Sequence, residues 1–263
     1  MAGLEILRRA ADARKPLILA HRGGRALFPE NSLLAFRECG KVGAEGVEFD
    51  VRPCASGEIV VFHDQKVNRL TDGGGFVDEI PWKELRELHL RGPSKELSKE
   101  RIPLFKEVLE VLPSSFFVNV EIKYERGDPA KLAAKVLKEL EGSRFLLEGK
   151  LVVSSFHPRV LFACRKIAPD VPLGYLYEPK WRMAALKSLL VPFLNPVTIH
   201  PEQSRATEVL ASKERRKGRE LAVWTVNDPE AMKRLAASGV AAIITDKPDL
   251  ARKTMDSLPG AKA

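Results

Sequence analysis

Short apolar strands alternate with amphipathic helices along most of the chain, and this alternation limits the fold more than any other feature. The predicted strands span residues 17–20, 46–52, 116–123, 151–155, 172–177, 197–200, 221–226 and 240–245. Helices are predicted at 104–112, 129–140, 158–167, 181–190, 204–217 and 229–238, with a short final helix. Eight such units in 263 residues predict a (β/α)8 TIM barrel.

An open, doubly wound sheet is the main alternative to a barrel. Such a sheet would need a switch-point site, most often a glycine-rich dinucleotide loop. No G-x-G-x-x-G motif follows the first strand, which runs instead into His21 and Arg22. A helix is predicted to start at Asn31–Ser32, with Asn31 as its cap. The first fifty residues therefore form a parallel strand–helix–strand unit.

The second strand carries two acids on one face. Glu48 and Asp50 alternate with Val47, Phe49 and Val51, so the acids should point one way and the apolar side chains into the core.

A second β-rich run, from Ile59 to Asp64, follows the acid strand too closely for a parallel crossover, so it should be an antiparallel hairpin partner. With Ser56 and Gly57 as a two-residue loop, Asp50 is predicted to pair directly with His63.

Residues 65–101 interrupt the alternation and are predicted to be a small insertion over one end of a single barrel domain, 1–263. The polar Gly92–Lys99 stretch lies within this insertion.

Composition narrows the possible partners and location. Three scattered cysteines, no signal-like start and no apolar run of about 20 residues predict a cytoplasmic protein without stable membrane insertion. The formal net charge of +8 is compatible with an anionic substrate. The dense basic run Lys213–Arg219 is more typical of a helix end than of a nucleic-acid contact, so no nucleic acid is expected. The oligomeric state stays open.

Polar residues cluster where the predicted strands end, and these ends meet at one face of a barrel. Three carboxylates, Glu48, Asp50 and Glu121, are suited to Mg²⁺ or Ca²⁺. The same face would hold the remaining candidates: His21 and His63 as acid and base, and Arg22, Lys123, His200 and Trp224 as phosphate or substrate contacts. For Trp224, core packing is an equal alternative. The set predicts metal-assisted cleavage of a phosphodiester.

The order and spacing of several motifs resemble the glycerophosphodiester phosphodiesterase family. They are His21-Arg22-Gly23, Pro29-Glu30-Asn31-Ser32, Glu48-Phe49-Asp50-Val51, Val60-Val61-Phe62-His63-Asp64, Thr71-Asp72-Gly73, Glu121-Ile122-Lys123, Ser154-Ser155-Phe156, Trp224-Thr225-Val226-Asn227 and Thr245-Asp246. The resemblance covers nearly the whole chain.

This resemblance implies hydrolysis of glycerophosphodiesters to sn-glycerol 3-phosphate and an alcohol. It implies that His21 and His63 are the acid–base pair, that Glu48, Asp50 and Glu121 hold a divalent metal, and that Arg22 and Lys123 grip the phosphate. Attack by a neighbouring substrate hydroxyl, through a cyclic phosphate, is an open alternative to direct hydrolysis.

Two other functions stay open at this point. One is a lysophospholipase D that uses the same site, with an acyl-chain wall formed by Phe76, Val77, Ile80, Trp82 and Leu85. The other is a catalytically silent phosphate-binding module.

Overall fold

The computed structural model describes residues 2–177 and 192–258, so the predicted helix 181–190 lies outside the described residues. The strands are β1 Leu17–His21, β2 Gly46–Pro53, β3 Ile59–Val61, β4 His89–Arg91, β5 Leu97–Arg101, β6 Phe117–Ile122, β7 Leu151–Ser155, β8 Leu173–Tyr177, β9 Thr198–Pro201, β10 Glu220–Val223 and β11 Ala242–Thr245. The helices are α1 Ala2–Asp12, α2 Leu33–Glu38, α3 Trp82–Leu85, α4 Phe105–Val111, α5 Pro129–Leu140, α6 Arg144–Leu147, α7 Pro158–Ile167, α8 Glu208–Arg215, α9 Pro229–Ala237 and α10 Pro248–Asp256.

Eight parallel strands close into a barrel. Their order is β1-β11-β10-β9-β8-β7-β6-β2, and β1 also pairs with β2 to complete the ring. These are the eight predicted strands, with bounds shifted by up to three residues, so the predicted (β/α)8 fold is confirmed. In the part of the chain that the structure describes, no helix has the length and apolarity needed to cross a bilayer.

The main core lies between the barrel strands and the surrounding helices. Val47, Phe49 and Val51 of β2 are fully buried on this outer side, as the alternation predicted. The Phe49 ring lies 5.3 Å from the ring of Phe36 and 5.9 Å from that of Phe105, measured between centroids. Because successive residues of a strand face opposite ways, Glu48 and Asp50 point into the barrel.

The N-terminal helix α1 was not predicted. Its Leu7 and Ala11 are buried in a second apolar cluster with Phe117 and Ala242, the first residues of β6 and β11. The helix therefore covers the amino-terminal end of the barrel, opposite the carboxyl ends of the strands.

The register of the β2–β3 hairpin differs from the prediction. The ladder pairs Val51 with Val61, so the residue opposite Asp50 is Phe62, whose N–H donates to the Asp50 carbonyl oxygen (2.9 Å). The predicted direct pairing of Asp50 with His63 is wrong by one residue.

The loop explains the shift of register. It has three residues, 55–57, between Cys54 and Glu58, which share a backbone hydrogen bond of 3.0 Å. Gly57 has φ +98°, the left-handed conformation that commonly ends a three-residue hairpin loop. Since β3 ends at Val61, the ladder does not set the direction of the His63 side chain.

The insertion 65–101 contains short 3₁₀ turns, α3 and the β4–β5 hairpin, around a small apolar core that it shares with Val60 and Phe62. Val77 and Leu85 are fully buried in this core, and Ile80 and Trp82 pack against it. These are four of the five side chains that the lysophospholipase alternative needed as an acyl-chain wall. They are occupied inside the insertion, so the structure does not favour that alternative.

The predicted helix 204–217 is divided in the structure. A 3₁₀ turn, Gln203–Arg205, precedes α8, and the Thr207 side chain caps α8 by accepting a hydrogen bond from the Leu210 N–H. The basic run continues beyond the end of α8, and Glu214 pairs with two of its cations, Lys217 (2.8 Å) and Arg219 (3.1 Å).

Candidate active site

The carboxyl ends of the barrel strands enclose a cleft of about 160 Å³. Strand register creates it: β1 sets His21 beside Glu48, and β2 sets Asp50 beside Glu121. The cleft is lined by His21, Arg22, Arg25, Glu48, His63, Glu121, Lys123, Phe156, Leu176, Trp224, Thr225 and Ile244. Most of the predicted site residues therefore meet in one place.

Three carboxylates cluster at the cleft, two of which, Glu48 and Glu121, line it. Glu48, Asp50 and Glu121 are 3%, 1% and 6% exposed, and one oxygen from each lies within 4.8 Å of the others. Two oxygens bound to one Mg²⁺ or Ca²⁺ ion can be separated by at most twice the metal–oxygen distance, about 4 to 5 Å. The three residues are thus close enough to bind a single hard cation.

The carboxylate cluster carries more negative charge than its neighbours compensate. Burial, together with the charges of Asp50 and Glu121, raises the pKa of Glu48 well above its ordinary value. One Glu48 oxygen, Oε2, accepts no hydrogen bond from the described residues. If all three carboxylates are ionised, they leave one net negative charge against the two cations Arg22 and Lys123, and Arg22 is also shared with Glu30 (2.8 Å). A dication would remove this repulsion, so the residues present fit a divalent metal.

Asp50 is the carboxylate that the cations stabilise most. Burial alone would raise the pKa of Asp50, but the charges of Lys123 and Arg22 outweigh burial and hold it well below its ordinary value. Lys123 Nζ lies 3.6 Å from Asp50 and 2.7 Å from Glu121, and Arg22 Nε lies 3.3 Å from Asp50. Both predicted phosphate-contacting cations therefore border the carboxylates.

Both cleft histidines are held through the same ring atom. His21 Nδ1 lies 2.6 Å from Asp246 Oδ1, and His63 Nδ1 lies 2.7 Å from Asp64 Oδ1. Because a carboxylate accepts, each Nδ1 carries the proton and each Nε2 is left to exchange one. Burial lowers the pKa of His21, although the Asp246 carboxylate opposes this effect. Asp64 orients His63 in the same way that Asp246 orients His21.

Arginines extend these pairs into a network. Arg69 donates to Asp64 (2.6 Å) and to Glu30 (3.0 Å), and Glu30 also accepts from Arg22 (2.8 Å). Arg25 donates to Asp246 (2.7 Å), the partner of His21. The histidine-orienting acids are thus fixed by cations, and sequence reasoning missed Asp246, Arg25 and Glu30 in this role.

Asn31 does not cap α2, contrary to the prediction. The cap is Ser32, whose side-chain oxygen accepts a hydrogen bond from the Ala35 N–H (3.1 Å). Asn31 is buried at φ +58°, and its Nδ2 donates to Asp50 Oδ2 (3.2 Å). A helix that starts one residue later frees the Asn31 amide to hold a carboxylate of the cluster.

Of the last two predicted substrate contacts, Trp224 lies at the cleft and His200 does not. Trp224 lines the cleft, with its ring edge-on to Phe156 and its Nε1 donating to the His200 carbonyl (2.9 Å). His200 is 1% exposed inside the barrel, where its Nε2 lies 2.7 Å from Thr198 Oγ1. Burial lowers the pKa of His200 to about 3, so the ring is neutral. The structure does not bring the His200 side chain to the cleft.

Fold and cleft together define a class: a (β/α)8-barrel enzyme with its polar groups at the carboxyl ends of the strands. Residues 21–250 match the glycerophosphoryl diester phosphodiesterase family, and the chain belongs to this family. It is therefore an enzyme of the phosphoric diester hydrolase class.

Individual relatives support this membership. A glycerophosphodiester phosphodiesterase of Caldanaerobacter subterraneus subsp. tengcongensis is 33% identical over 241 residues, covering 89% of this chain and 96% of that protein. One from Bacillus altitudinis is 31% identical over 250 residues, covering 92% and 98%. A phosphodiesterase of Oleispira antarctica, solved in complex with the product sn-glycerol 3-phosphate, superposes with a TM-score of 0.82 at 26% identity, covering 94% and 99%.

Proposed function

We propose that this protein hydrolyses glycerophosphodiesters to sn-glycerol 3-phosphate and an alcohol, with a divalent metal at the carboxylate cluster and with His21 and His63 as the acid–base pair. The observation that carries the proposal is the buried carboxylate triad flanked by two histidines, each held at Nδ1 by an aspartate. Family membership and a relative solved with sn-glycerol 3-phosphate support this substrate class.

Glu48, Asp50 and Glu121 would hold the metal, and all three offer the oxygen ligands that Mg²⁺ and Ca²⁺ prefer. When bound, such an ion supplies positive charge that stabilises the negative charge developing on a phosphoryl group. With the ion, the cluster and its two cations change from one net negative charge to one net positive charge, which matches the single charge of a phosphodiester.

The histidines would move the protons of hydrolysis. Water adds to phosphorus while the bond to the alcohol oxygen breaks; one Nε2 takes the proton from the attacking water, and the other gives a proton to the leaving oxygen. Asp246 and Asp64 keep the Nδ1 protons in place, so that each ring exchanges protons at the side facing the cleft. Arg22 and Lys123 line the same cleft and would bind the phosphoryl oxygens.

The test is release of sn-glycerol 3-phosphate from glycerophosphocholine and glycerophosphoglycerol by the purified protein, with Mg²⁺, Ca²⁺ or a chelator. We expect product with a dication and none with the chelator. His21→Ala and His63→Ala should each lower kcat by at least about 100-fold, the usual contribution of a positioned acid or base. The matched control is His89→Ala, because His89 also contacts an aspartate, Asp72 (3.1 Å), but lies outside the cleft.

Two outcomes would contradict the proposal. Wild-type kcat in a folded His63→Ala variant would remove that histidine from the mechanism. If no diester released sn-glycerol 3-phosphate with either dication, the catalytically silent phosphate-binding module would be the better description. Lysophosphatidylcholine serves as the comparison substrate for the lysophospholipase D alternative.

We also propose a cytoplasmic location. The support is that Cys39, Cys54 and Cys164 are all buried and unpaired, as is usual in a reducing compartment.

A further inference from the structure

A second cavity of about 370 Å³ adjoins the cleft on the side of the insertion. It is lined by Arg25, Phe28, Glu30, Arg69, Leu70, Arg91, Gly92, Pro93 and Lys95. Arg25 lines both this cavity and the cleft that contains the histidines. A substrate whose phosphate lies at the histidines could therefore extend past Arg25 into this second cavity, here called the hairpin cavity.

Two of its four cations are already neutralised. Arg25 pairs with Asp246 (2.7 Å), and Arg69 pairs with Asp64 (2.6 Å) and Glu30 (3.0 Å). These ion pairs support the catalytic network, so their cations contribute little free positive charge to a ligand.

The other two cations of the cavity come from the β4–β5 hairpin and are not neutralised by carboxylates. Within residues 2–177 and 192–258, no carboxylate forms an ion pair with Arg91 or Lys95. The Arg91 guanidinium is oriented by two carbonyl oxygens, those of Thr71 (3.2 Å) and Lys95 (3.1 Å). Glu96 packs over Gly92 at the hairpin turn, but it does not line the cavity.

The turn of the β4–β5 hairpin fixes the backbone at Lys95. Lys95 has φ +71°, a left-handed conformation that a lysine adopts at an energetic cost. Lys95 is the last residue of a three-residue hairpin loop, 93–95, closed by the Gly92 N–H donating to the Glu96 carbonyl (2.8 Å), so the turn itself fixes the position of this lysine beside the cavity.

A third cavity, which shares Lys123 with the cleft, does not offer the same charge. Its arginines are each paired, Arg52 with Glu125 (2.9 Å) and Arg126 with Asp78 (2.7 Å). Its cations also include Lys131 and Lys135, so five cations line it against the three acids Asp78, Glu125 and Asp128, whereas four cations line the hairpin cavity against the single acid Glu30. The excess of cations over acids is therefore larger on the hairpin side of the cleft.

We propose that the hairpin cavity is a second anion site, and that the preferred substrates are glycerophosphodiesters whose leaving alcohol itself carries a phosphate. Arg91 and Lys95 bind that second phosphate, while the scissile phosphate lies at the histidines. The inference rests on the proposed function and specifies its substrate class. Arginine and lysine are the usual ligands of phosphate, and Arg91 has its planar donor group already oriented.

The test compares three soluble substrates whose leaving alcohols differ in charge, and the variants below separate the effect of charge from that of size. They are glycerophosphoglycerol (neutral), glycerophosphocholine (cationic) and bis(glycerophospho)glycerol (anionic). We expect kcat/KM for the anionic substrate to exceed that for the neutral one by at least about tenfold, given the usual strength of charge-assisted hydrogen bonds. This preference should decrease as salt is raised from low to physiological ionic strength.

Substitutions test whether the preference for the anionic substrate comes from the hairpin cavity. Lys95→Gln combined with Arg91→Gln should lower the anionic-to-neutral ratio of kcat/KM about tenfold or more, mainly through KM. The matched control is Lys99→Gln, an exposed lysine of β5 that does not line the cavity. Since Arg91 also bonds to the hairpin backbone, Lys95→Glu alone is the second variant if the double variant does not fold.

The results separate the inference from the proposed function. Equal kcat/KM for the neutral and anionic substrates, or a ratio that falls equally in Lys99→Gln, would overturn the second anion site and leave the hydrolase intact. If none of the three substrates were cleaved, the proposed function itself would be overturned.

Discussion

At the scale of single residues, the decisive contacts are those of two imidazole Nδ1 atoms. Asp246 fixes His21 from 225 residues away, and Asp64 fixes His63 from the next position in the chain. The neighbouring acid could be considered from sequence, but the distant one could not, since only closure of the barrel brings β11 against β1. The same contrast holds for Glu48 and Glu121: their chemistry is visible in the sequence, and their proximity requires the fold.

Asp246 should act as a positioning residue for His21. Asp246→Asn keeps the shape of the side chain but can offer its amide N–H to Nδ1, which favours the wrong tautomer. We expect kcat to fall by at least about 100-fold while dication binding, followed by thermal shift, is retained. The control is Asp72→Asn, which alters the His89–Asp72 pair outside the cleft and should leave kcat unchanged. A wild-type kcat in Asp246→Asn would contradict the role.

At the scale of elements, the strand–helix alternation was enough to predict the barrel but not the details at element ends. Helix α2 begins one residue after the predicted cap, and the β2–β3 register is shifted by one. Both errors come from residues with positive φ, Asn31 (+58°) and Gly57 (+98°). Apolar periodicity carries no information on such conformations. The helix α1 was missed because its apolar face is meaningful only against the open end of a barrel.

Substitutions of the adjacent residues Asn31 and Ser32 should therefore separate dication binding from the stability of α2. Asn31→Ala removes the donor to Asp50 and should weaken dication affinity by about 10- to 100-fold, as is usual when the partner of a metal ligand is lost. Ser32→Ala removes the cap of α2 and should lower the free energy of unfolding by about 1 kcal/mol without that loss of affinity. Calorimetric titration with Ca²⁺ and chemical unfolding measure the two effects. Equal dication affinity in both variants would show that Asn31 does not support the cluster.

At the scale of the whole molecule, a protein with formal net charge +8 contains three buried carboxylates within 4.8 Å of one another. Burial is the largest cause that raises the pKa values of Glu48 and Glu121. The neighbouring Asp50 charge raises both pKa values further, because the carboxylates repel one another. The cluster joins β2 and β6, two neighbouring strands of the barrel. Binding of a cation there should stabilise the entire fold, because any ligand that binds only the folded state shifts the unfolding equilibrium.

The expected size of this effect follows from mass action. A dication at about 100 times its dissociation constant adds about 2.7 kcal/mol to the free energy of unfolding. At roughly 2–4 °C per kcal/mol for a chain of this size, the Tm should rise by about 5–10 °C, and a chelator should reverse the rise. Glu121→Gln should remove most of the increase. Glu125→Gln, a partly exposed carboxylate paired with Arg52, should retain it. A Tm rise of equal size in Glu121→Gln would mean that the stabilising ion binds away from the carboxylate cluster.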